Sequence, residues 1–316
     1  MNLDMERELG WLLGGVLALL VVASAAGWLL SRRVSSERGR ATVSNLNARV
    51  KAWWVMCFVF AIALATGGIG SIFMFGLLSF LALREFMTLA ETSTGDHRAL
   101  LVIFFVLTPV QYVLVAIDWY GMFAIAIPVY GLFAVATLNA LRGESDRFLE
   151  RTAIIQLGLM VCVYNVSHAP ALLILNLDGL PDGNAQLLLW FVIVVQASDV
   201  LQYIWGKTTG RHPIARVISP NKTLEGFLGG IATATALGAA LWWATPFNPL
   251  QAAAMALVVC LAGFAGGLVM SAIKRDRGVK DYGTLIQGHG GVLDRIDSLA
   301  FAAPLMFHLT RYYFGT

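Results

Sequence analysis

The strongest constraint on this chain is a series of apolar runs that recur from one end of the sequence to the other. A run of about 20 apolar residues is long enough to cross the hydrocarbon core of a bilayer as a helix. Because lipid offers the backbone no hydrogen-bond partners, such spans must be helical. We place ten spans, at 9–31, 52–67, 69–84, 99–117, 120–139, 152–175, 186–205, 224–244, 250–273 and 298–314.

The composition agrees with a membrane protein. Charged residues make up 13% of the 316 residues, whereas soluble domains carry about 25%. We therefore predict an all-α, polytopic bundle of about ten transmembrane helices. We divide it into residues 1–185, with about six spans, and residues 186–316, which carry the polar motifs. The net charge of +3 gives no indication of nucleic-acid binding.

The distribution of positive charge selects one topology. The segment TGGIG, residues 66–70, either separates two spans or interrupts one broken helix. With two spans and the N-terminus outside, 20 of the 22 Lys and Arg residues fall in loops on one face, as the positive-inside bias predicts. We therefore expect both termini outside and the basic loops in the cytoplasm of a bacterial inner membrane. The loops 32–51 and 84–98 read as solvated connectors, and 32–51 could instead lie on the anionic inner leaflet.

One predicted inner loop, between the spans that end at 205 and begin at 224, has the features of a phosphate site. Just before it lies Asp199, a carboxylate within an apolar run, which by default marks a functional or paired site. Its last part, SPNKTLEG, predicts a helix start, with Thr223 as the N-cap and Glu225 in the first turn. A helix N-terminus beside Lys222 is suited to phosphate. We therefore predict that Ser219 and Lys222 bind phosphate.

A second inner segment, residues 271–298, reads SAIKRDRGVKDYGTLIQGHGGVLDRIDS and holds nine charged side chains. Its cationic cluster is followed by GHGG, a turn in which backbone N–H groups can approach an anion. Asp294 and Asp297 then lie three residues apart, on one face of the last helix. Carboxylates beside a phosphate-binding turn suggest Mg²⁺ shared with a nucleotide. Such a set is typical of phosphoryl or nucleotidyl transfer, here without a Walker A motif.

The elements SAIKR, KDYG, GHGG and DRIDS, together with SPNKTLEG and the Asp before it, closely resemble the signature of the phosphatidate cytidylyltransferases, also called CDP-diacylglycerol synthases. The resemblance covers residues 186–314 well and rests on hydropathy before that. It implies that CTP and phosphatidic acid give CDP-diacylglycerol and pyrophosphate. The lipid phosphate would attack the α-phosphorus of CTP in line. Since this nucleophile is already an anion, we expect His289 to shape the nucleotide loop rather than to act as a base.

The same resemblance implies the partners, the cofactor and the site residues. The partners would be CTP, phosphatidic acid and the bilayer, with no nucleic acid, and a homodimer is an open expectation. The cofactor would be Mg²⁺, with room for a second cation such as K⁺. The implied catalytic residues are Asp294, Asp297, Lys280 and Asp281; the implied metal ligands are Asp294, Asp297 and Asp199; and the implied nucleotide and phosphate contacts are Ser219, Lys222, Lys274, Arg275, His289, Gly290, Gly291 and Arg295.

Two departures from the family pattern keep alternatives open. Where the family has GDL, this chain has GGL at 266–268, and where the family has Pro before GHGG, this chain has Gln287. The missing acid leaves the metal count open, and Asp199 or Asp281 could supply the ligand. The alternatives are another CTP-using lipid enzyme, such as a polyprenol kinase that releases CDP, and a lipid-binding pseudoenzyme. A transporter is disfavoured because the polar groups lie at span ends.

Overall fold

The structure, a computed structural model, describes residues 3–34, 36–90, 96–141, 143, 145–177, 184–283 and 290–315. This part of the chain forms a bundle of ten helices with one small hairpin. Helices α4, α5 and α6 each contain a π-helical turn. The helices are α1 Leu3–Arg33, α2 Glu37–Ala65, α3 Gly67–Leu89, α4 His97–Ala116, α5 Tyr120–Ala140, α6 Phe148–Ile174, α7 Asn184–Thr209, α8 Leu224–Ala240, α9 Pro249–Asp276 and α10 Leu293–Phe314.

The predicted polytopic membrane bundle is confirmed. Of the ten helices in the described residues, eight are long and apolar enough to cross a membrane. The other two are α8, an apolar helix of 17 residues, and α10, of 22 residues, whose charged side chains lie near its ends. Each predicted span coincides with one helix. The side of the membrane on which each helix end lies stays a prediction.

The TGGIG segment separates two helices, as the charge distribution predicted. Gly67, the first residue of α3, has a φ of +79°, a conformation that favours glycine. The rings of Phe60 and Phe75 lie edge to face with their centroids 6.4 Å apart. In one continuous helix their positions would be about 22 Å apart at 1.5 Å per residue. The chain therefore reverses at Gly67 and forms a helical hairpin.

The prediction that residues 32–51 form a solvated connector is wrong, because residues 37–51 are helical. After a short break, α2 begins at Glu37, so its first 15 residues are a polar extension of a membrane helix. Ser36 caps this start because its side chain accepts a hydrogen bond from the N–H of Gly39 at 3.2 Å. Hydropathy locates only the apolar part of a helix and does not detect a polar extension.

The loop before α8 folds into a hairpin that places Lys222. Strand β1 (Pro213–Ala215) pairs antiparallel with strand β2 (Ser219–Thr223). Thr223 ends β2 and is the N-cap of α8, since its hydroxyl accepts a hydrogen bond from the N–H of Gly226 at 3.2 Å. The predicted helix start is thus confirmed. Lys222 stands one residue before the cap, on a short, defined element.

Glycines let α8 pack directly on α7. A Cβ on Gly226 would lie 2.8 Å from the carbonyl oxygen of Gln202, and a Cβ on Gly230 would lie 2.6 Å from its Cα. Small residues allow helices this close approach in membranes, where packing rather than hydrophobicity drives association. The contact fixes the hairpin beside the segment of α7 that carries Asp199.

Substituting Gly230→Ala should destabilise the bundle, because the new methyl group meets the backbone of Gln202, which cannot move aside. Overpacking of this kind costs about 1–3 kcal/mol of unfolding free energy. The matched control is Gly14→Ala in α1, where an added Cβ has no neighbour within 4 Å. Thermal unfolding in detergent, followed by circular dichroism, should show a lower midpoint for Gly230→Ala alone. Equal midpoints would contradict the close α7–α8 contact.

Candidate active site

The two polar segments singled out by the sequence meet at one end of the bundle. Arg275, at the end of α9, donates from Nε to the carbonyl of Ile218 in the hairpin at 3.4 Å. It also donates from Nη1 to the carbonyl of Val279 at 3.1 Å. Arg275 therefore links the hairpin to the segment after α9. Both segments lie on the same side of the bundle, as a shared site requires. The predicted phosphate contact of Arg275 stays a prediction.

Two acids and a lysine form the centre of this region. Asp199 of α7 and Asp297 of α10 are close enough to repel each other electrostatically, and each is attracted to Lys222. Ser298 follows Asp297 on α10, and its N–H donates to the Asp297 Oδ1 at 2.8 Å. Asp199 is exposed by its accessible surface.

Lys222 lies against the bare backbone of Gly267. A Cβ built on Gly267 would be 2.9 Å from the Lys222 Nζ, and Nζ is 4.9 Å from the centre of the Phe264 ring. Withdrawal from water lowers the pKa of Lys222, and the charges of Asp199 and Asp297 oppose that shift. Lys222 is thus a partly buried cation beside Gly267, the residue at which the family pattern has an acid.

Asp294 organises the glycine turn. Its Oδ1 accepts a hydrogen bond from Lys274 Nζ at 2.9 Å, and its Oδ2 accepts the N–H groups of Tyr282 at 2.8 Å and Gly291 at 2.9 Å. Gly290 has a φ of +82°, and a Cβ there would lie 2.7 Å from the same Oδ2. The N–H of Gly291, predicted to approach an anion, is directed to this carboxylate. Asp294 therefore ties both ends of the turn to α10.

Glu85, near the C-terminal end of α3, was missed by the sequence analysis. Its Oε1 accepts the N–H of Val292 at 3.0 Å and its Oε2 accepts the N–H of Leu293 at 2.9 Å. These N–H groups start α10, and a carboxylate there satisfies donors that the helix leaves unpaired. Gly291 packs directly on the carboxylate. The one sign of Glu85 in the sequence was that an acid ends a predicted span. Nothing in the sequence linked this acid to Val292, which lies 207 positions further along the chain.

The remaining predicted residues surround this centre or lie outside it. Ser219 begins β2, opposite Ala215. Arg295 is half-buried and interacts electrostatically with Asp297 and Asp294. Lys280 and Asp281 are exposed, and a Cβ on Gly290 would be 3.3 Å from the Asp281 Cβ. His289 lies outside the described residues. The roles predicted for these residues stay predictions.

The predicted binding of Mg²⁺ at Asp199 and Asp297 stays a prediction. Within the described ranges, no three His, Cys, Asp or Glu side chains are grouped so that they could hold a metal ion. Asp199 and Asp297 supply two carboxylates that interact electrostatically. Mg²⁺ is usually bound by one or two carboxylates together with substrate phosphates. The metal role predicted for Asp294 stays a prediction, and its carboxylate is engaged as described above.

Comparisons with known proteins identify relatives of the whole chain and of part of it. The sequence model described as the cytidylyltransferase family matches residues 47–313. The uncharacterized protein YnbB of Escherichia coli (strain K12) is 36% identical over 304 residues, which cover 95% of this chain and 97% of that protein. The phosphatidate cytidylyltransferases of Staphylococcus aureus (strain COL) and Staphylococcus haemolyticus (strain JCSC1435) are 40% and 39% identical over 121 residues. That alignment spans 38% of this chain and 46% of each enzyme.

Removing the Glu85 carboxylate should loosen the start of α10. Loss of a helix-capping acceptor costs about 0.5–2 kcal/mol, so Glu85→Ala should lower the thermal midpoint in detergent. Glu85→Gln keeps one oxygen acceptor and should lose less. Arg84→Ala is the control, because Arg84 is exposed on the same helix turn. If the Glu85→Ala protein is as stable as the Arg84→Ala protein, the contact of Glu85 with the start of α10 does not stabilise the protein.

Proposed function

This chain belongs to the cytidylyltransferase family, and we propose that it transfers the cytidylyl group of CTP to phosphatidic acid, giving CDP-diacylglycerol and pyrophosphate. The family makes it a membrane-embedded nucleotidyltransferase. The observation that supports the finer proposal is the charge arrangement around Asp297. This carboxylate interacts with Lys222 from the hairpin and with Lys274 from α9. Two cations beside acids, at the ends of membrane helices, are suited to bind the triphosphate of CTP close to the phosphate of a membrane lipid.

The reaction balances without a general base. An oxygen of the lipid phosphate forms a bond to the α-phosphorus of CTP, and the bond from that phosphorus to the bridging oxygen of the β-phosphate breaks. The electron pair of the broken bond leaves with pyrophosphate. The attacking oxygen is already anionic, so no proton must be removed first. The protein therefore needs to position the reactants and stabilise charge, which is the main demand of such transfers.

The hairpin would position the triphosphate. Lys222 and Ser219 occupy its second strand, directly before the N-terminus of α8, where backbone N–H groups favour anions. Glu225 holds the base of the hairpin, because Oε2 accepts the N–H groups of Arg211 at 2.9 Å and His212 at 3.2 Å. The hairpin is thus fixed from both ends, and a fixed donor set stabilises developing charge without having to reorganise.

The acids would hold the cofactor. Asp199 and Asp297 are the residues that would bind Mg²⁺, which when bound neutralises charge on the triphosphate and on the leaving pyrophosphate. Lys274 is kept in place by its 2.9 Å hydrogen bond to Asp294. Tyr282 supports the same region, since its ring lies 5.3 Å from Lys274 Nζ and its hydroxyl donates to the carbonyl of Met270 at 3.0 Å.

The purified chain in lipid nanodiscs, given CTP, Mg²⁺ and phosphatidic acid, should produce CDP-diacylglycerol and pyrophosphate in equal amounts. Asp297→Asn should lower kcat/KM by roughly 10²–10³-fold, the size seen when one group that stabilises transition-state charge is removed. Asp276→Asn, an exposed acid at the end of α9, is the control and should keep full activity. The rates are measured by pyrophosphate release and by chromatography of the lipid product.

The products distinguish the alternatives. CDP instead of pyrophosphate, with a phosphorylated lipid alcohol, would indicate the kinase-like reaction. Tight CTP binding without any product at saturating CTP, Mg²⁺ and phosphatidic acid would indicate a pseudoenzyme, which Gly267 in place of an acid favours. Either outcome would contradict the proposed cytidylyl transfer.

A further inference from the structure

A cleft of about 790 Å³ opens between the end of α1 and the polar start of α2. It is separate from the candidate active site, because none of the described residues assigned to that site lines it. The two helices form an antiparallel hairpin, in which Trp54 Nε1 donates to the Ser24 hydroxyl at 3.0 Å and Gly27 packs against the side chain of Asn47. These contacts fix the two walls of the cleft relative to each other.

One face of α2 lines the cleft with polar side chains. Arg40, Ser44, Asn47 and Lys51 line it and follow one another at intervals of three or four residues, which places them on one side of a helix. One turn further along the chain, Val55 continues the same stripe with an apolar side chain. The stripe therefore changes along its length, from cations and hydrogen-bonding groups to apolar groups.

The change from polar to apolar side chains coincides with the membrane interface. Trp53 and Trp54 come directly after this polar segment and are half-buried, and Trp is enriched at the level of the lipid headgroups. Val55 and Met56, which also line the cleft, lie in the part of α2 that is apolar enough to cross a membrane. Lys51 therefore lies at headgroup level, and the cleft extends from there toward the acyl chains.

The cleft carries positive charge without a carboxylate to balance it. Among the described residues that line it, Arg40 and Lys51 are cations and none is acidic. Both cations are exposed, and in the part of the chain that the structure describes neither forms an ion pair. Between them, Ser44 and Asn47 supply a hydroxyl and an amide that can donate to phosphate oxygens. Such a set, next to hydrocarbon, matches a phospholipid with a negatively charged headgroup.

We propose that this cleft binds an anionic phospholipid, whose headgroup lies along Arg40, Ser44, Asn47 and Lys51 and whose acyl chain packs against Val55. The site is distinct from the candidate active site and does not rest on the proposed function. Phosphatidylglycerol is a suitable probe, since its phosphate diester carries one negative charge and it is not the proposed substrate. Phosphatidylcholine has the same apolar part with no net charge and tests whether the cations select the lipid.

The first experiment titrates the full chain in detergent with each lipid and counts the bound lipids by native mass spectrometry. Arg40→Gln/Lys51→Gln should retain one phosphatidylglycerol fewer than the wild type, with its affinity about tenfold weaker, because each Lys or Arg near an anionic headgroup strengthens binding several-fold. Phosphatidylcholine binding should not change. Arg33→Gln/Arg49→Gln is the matched control: it removes two exposed cations from the same segment that do not line the cleft, and it should retain the lipid.

A second pair of variants fills the cleft and keeps its charge. Ser44→Phe adds a ring inside the cleft, whereas Asn45→Phe adds the same ring at the next position, which is exposed and does not line the cleft. Ser44→Phe should lose the same phosphatidylglycerol, and Asn45→Phe should retain it. Both positions are exposed, so this pair decides the question if the double charge variant does not fold.

Three results would overturn the proposal. Equal loss of phosphatidylglycerol in the two charge variants would show only a general attraction between basic segments and anionic lipid. Unchanged binding in both Arg40→Gln/Lys51→Gln and Ser44→Phe would show that the lipid does not bind in the cleft. Displacement of the lipid by inorganic phosphate at an equal concentration would indicate a site for free phosphate instead. None of these results depends on whether the protein turns over CTP, so the proposed function is tested separately.

Discussion

The charge compensation among Asp199, Asp297 and Lys222 is the interaction on which the site depends. In a membrane bundle, an unpaired ionised group is costly, so charges persist only where partners face them. Here the partners come from three separate places: α7, α10 and the hairpin before α8. The hairpin, the glycine contacts of α8 and the start of α10 must all be correctly placed for these groups to interact.

The same requirement explains the surrounding contacts. Asp294 neutralises Lys274 and holds the glycine turn, while Glu85 of α3 satisfies the first N–H groups of α10. A further buried ion pair, Asp96 with Arg151 at 3.5 Å, joins the start of α4 to α6. The N-terminal helices are therefore part of the support of the site. This agrees with the extent of the family match, which begins at residue 47 and includes Glu85.

The sequence predicted the spans and the helix start at Thr223 because apolar length and capping chemistry are local signals. It also predicted that two polar segments meet, and Arg275 bonded to Ile218 confirms this. It missed Glu85, since a contact across 207 residues has no local signature. It also assigned Asp294 and Asp297 alike as metal ligands. Their hydrogen-bond partners differ in the structure, and only packing determines those partners.

The most direct measurement of the central claim is an experimental structure of the chain bound to CTP and Mg²⁺. The account predicts a triphosphate lying between the hairpin and the end of α9, with the metal on Asp199 and Asp297 and with Lys222 turned toward the phosphates. A nucleotide bound away from these residues, or a metal that contacts neither Asp199 nor Asp297, would contradict it.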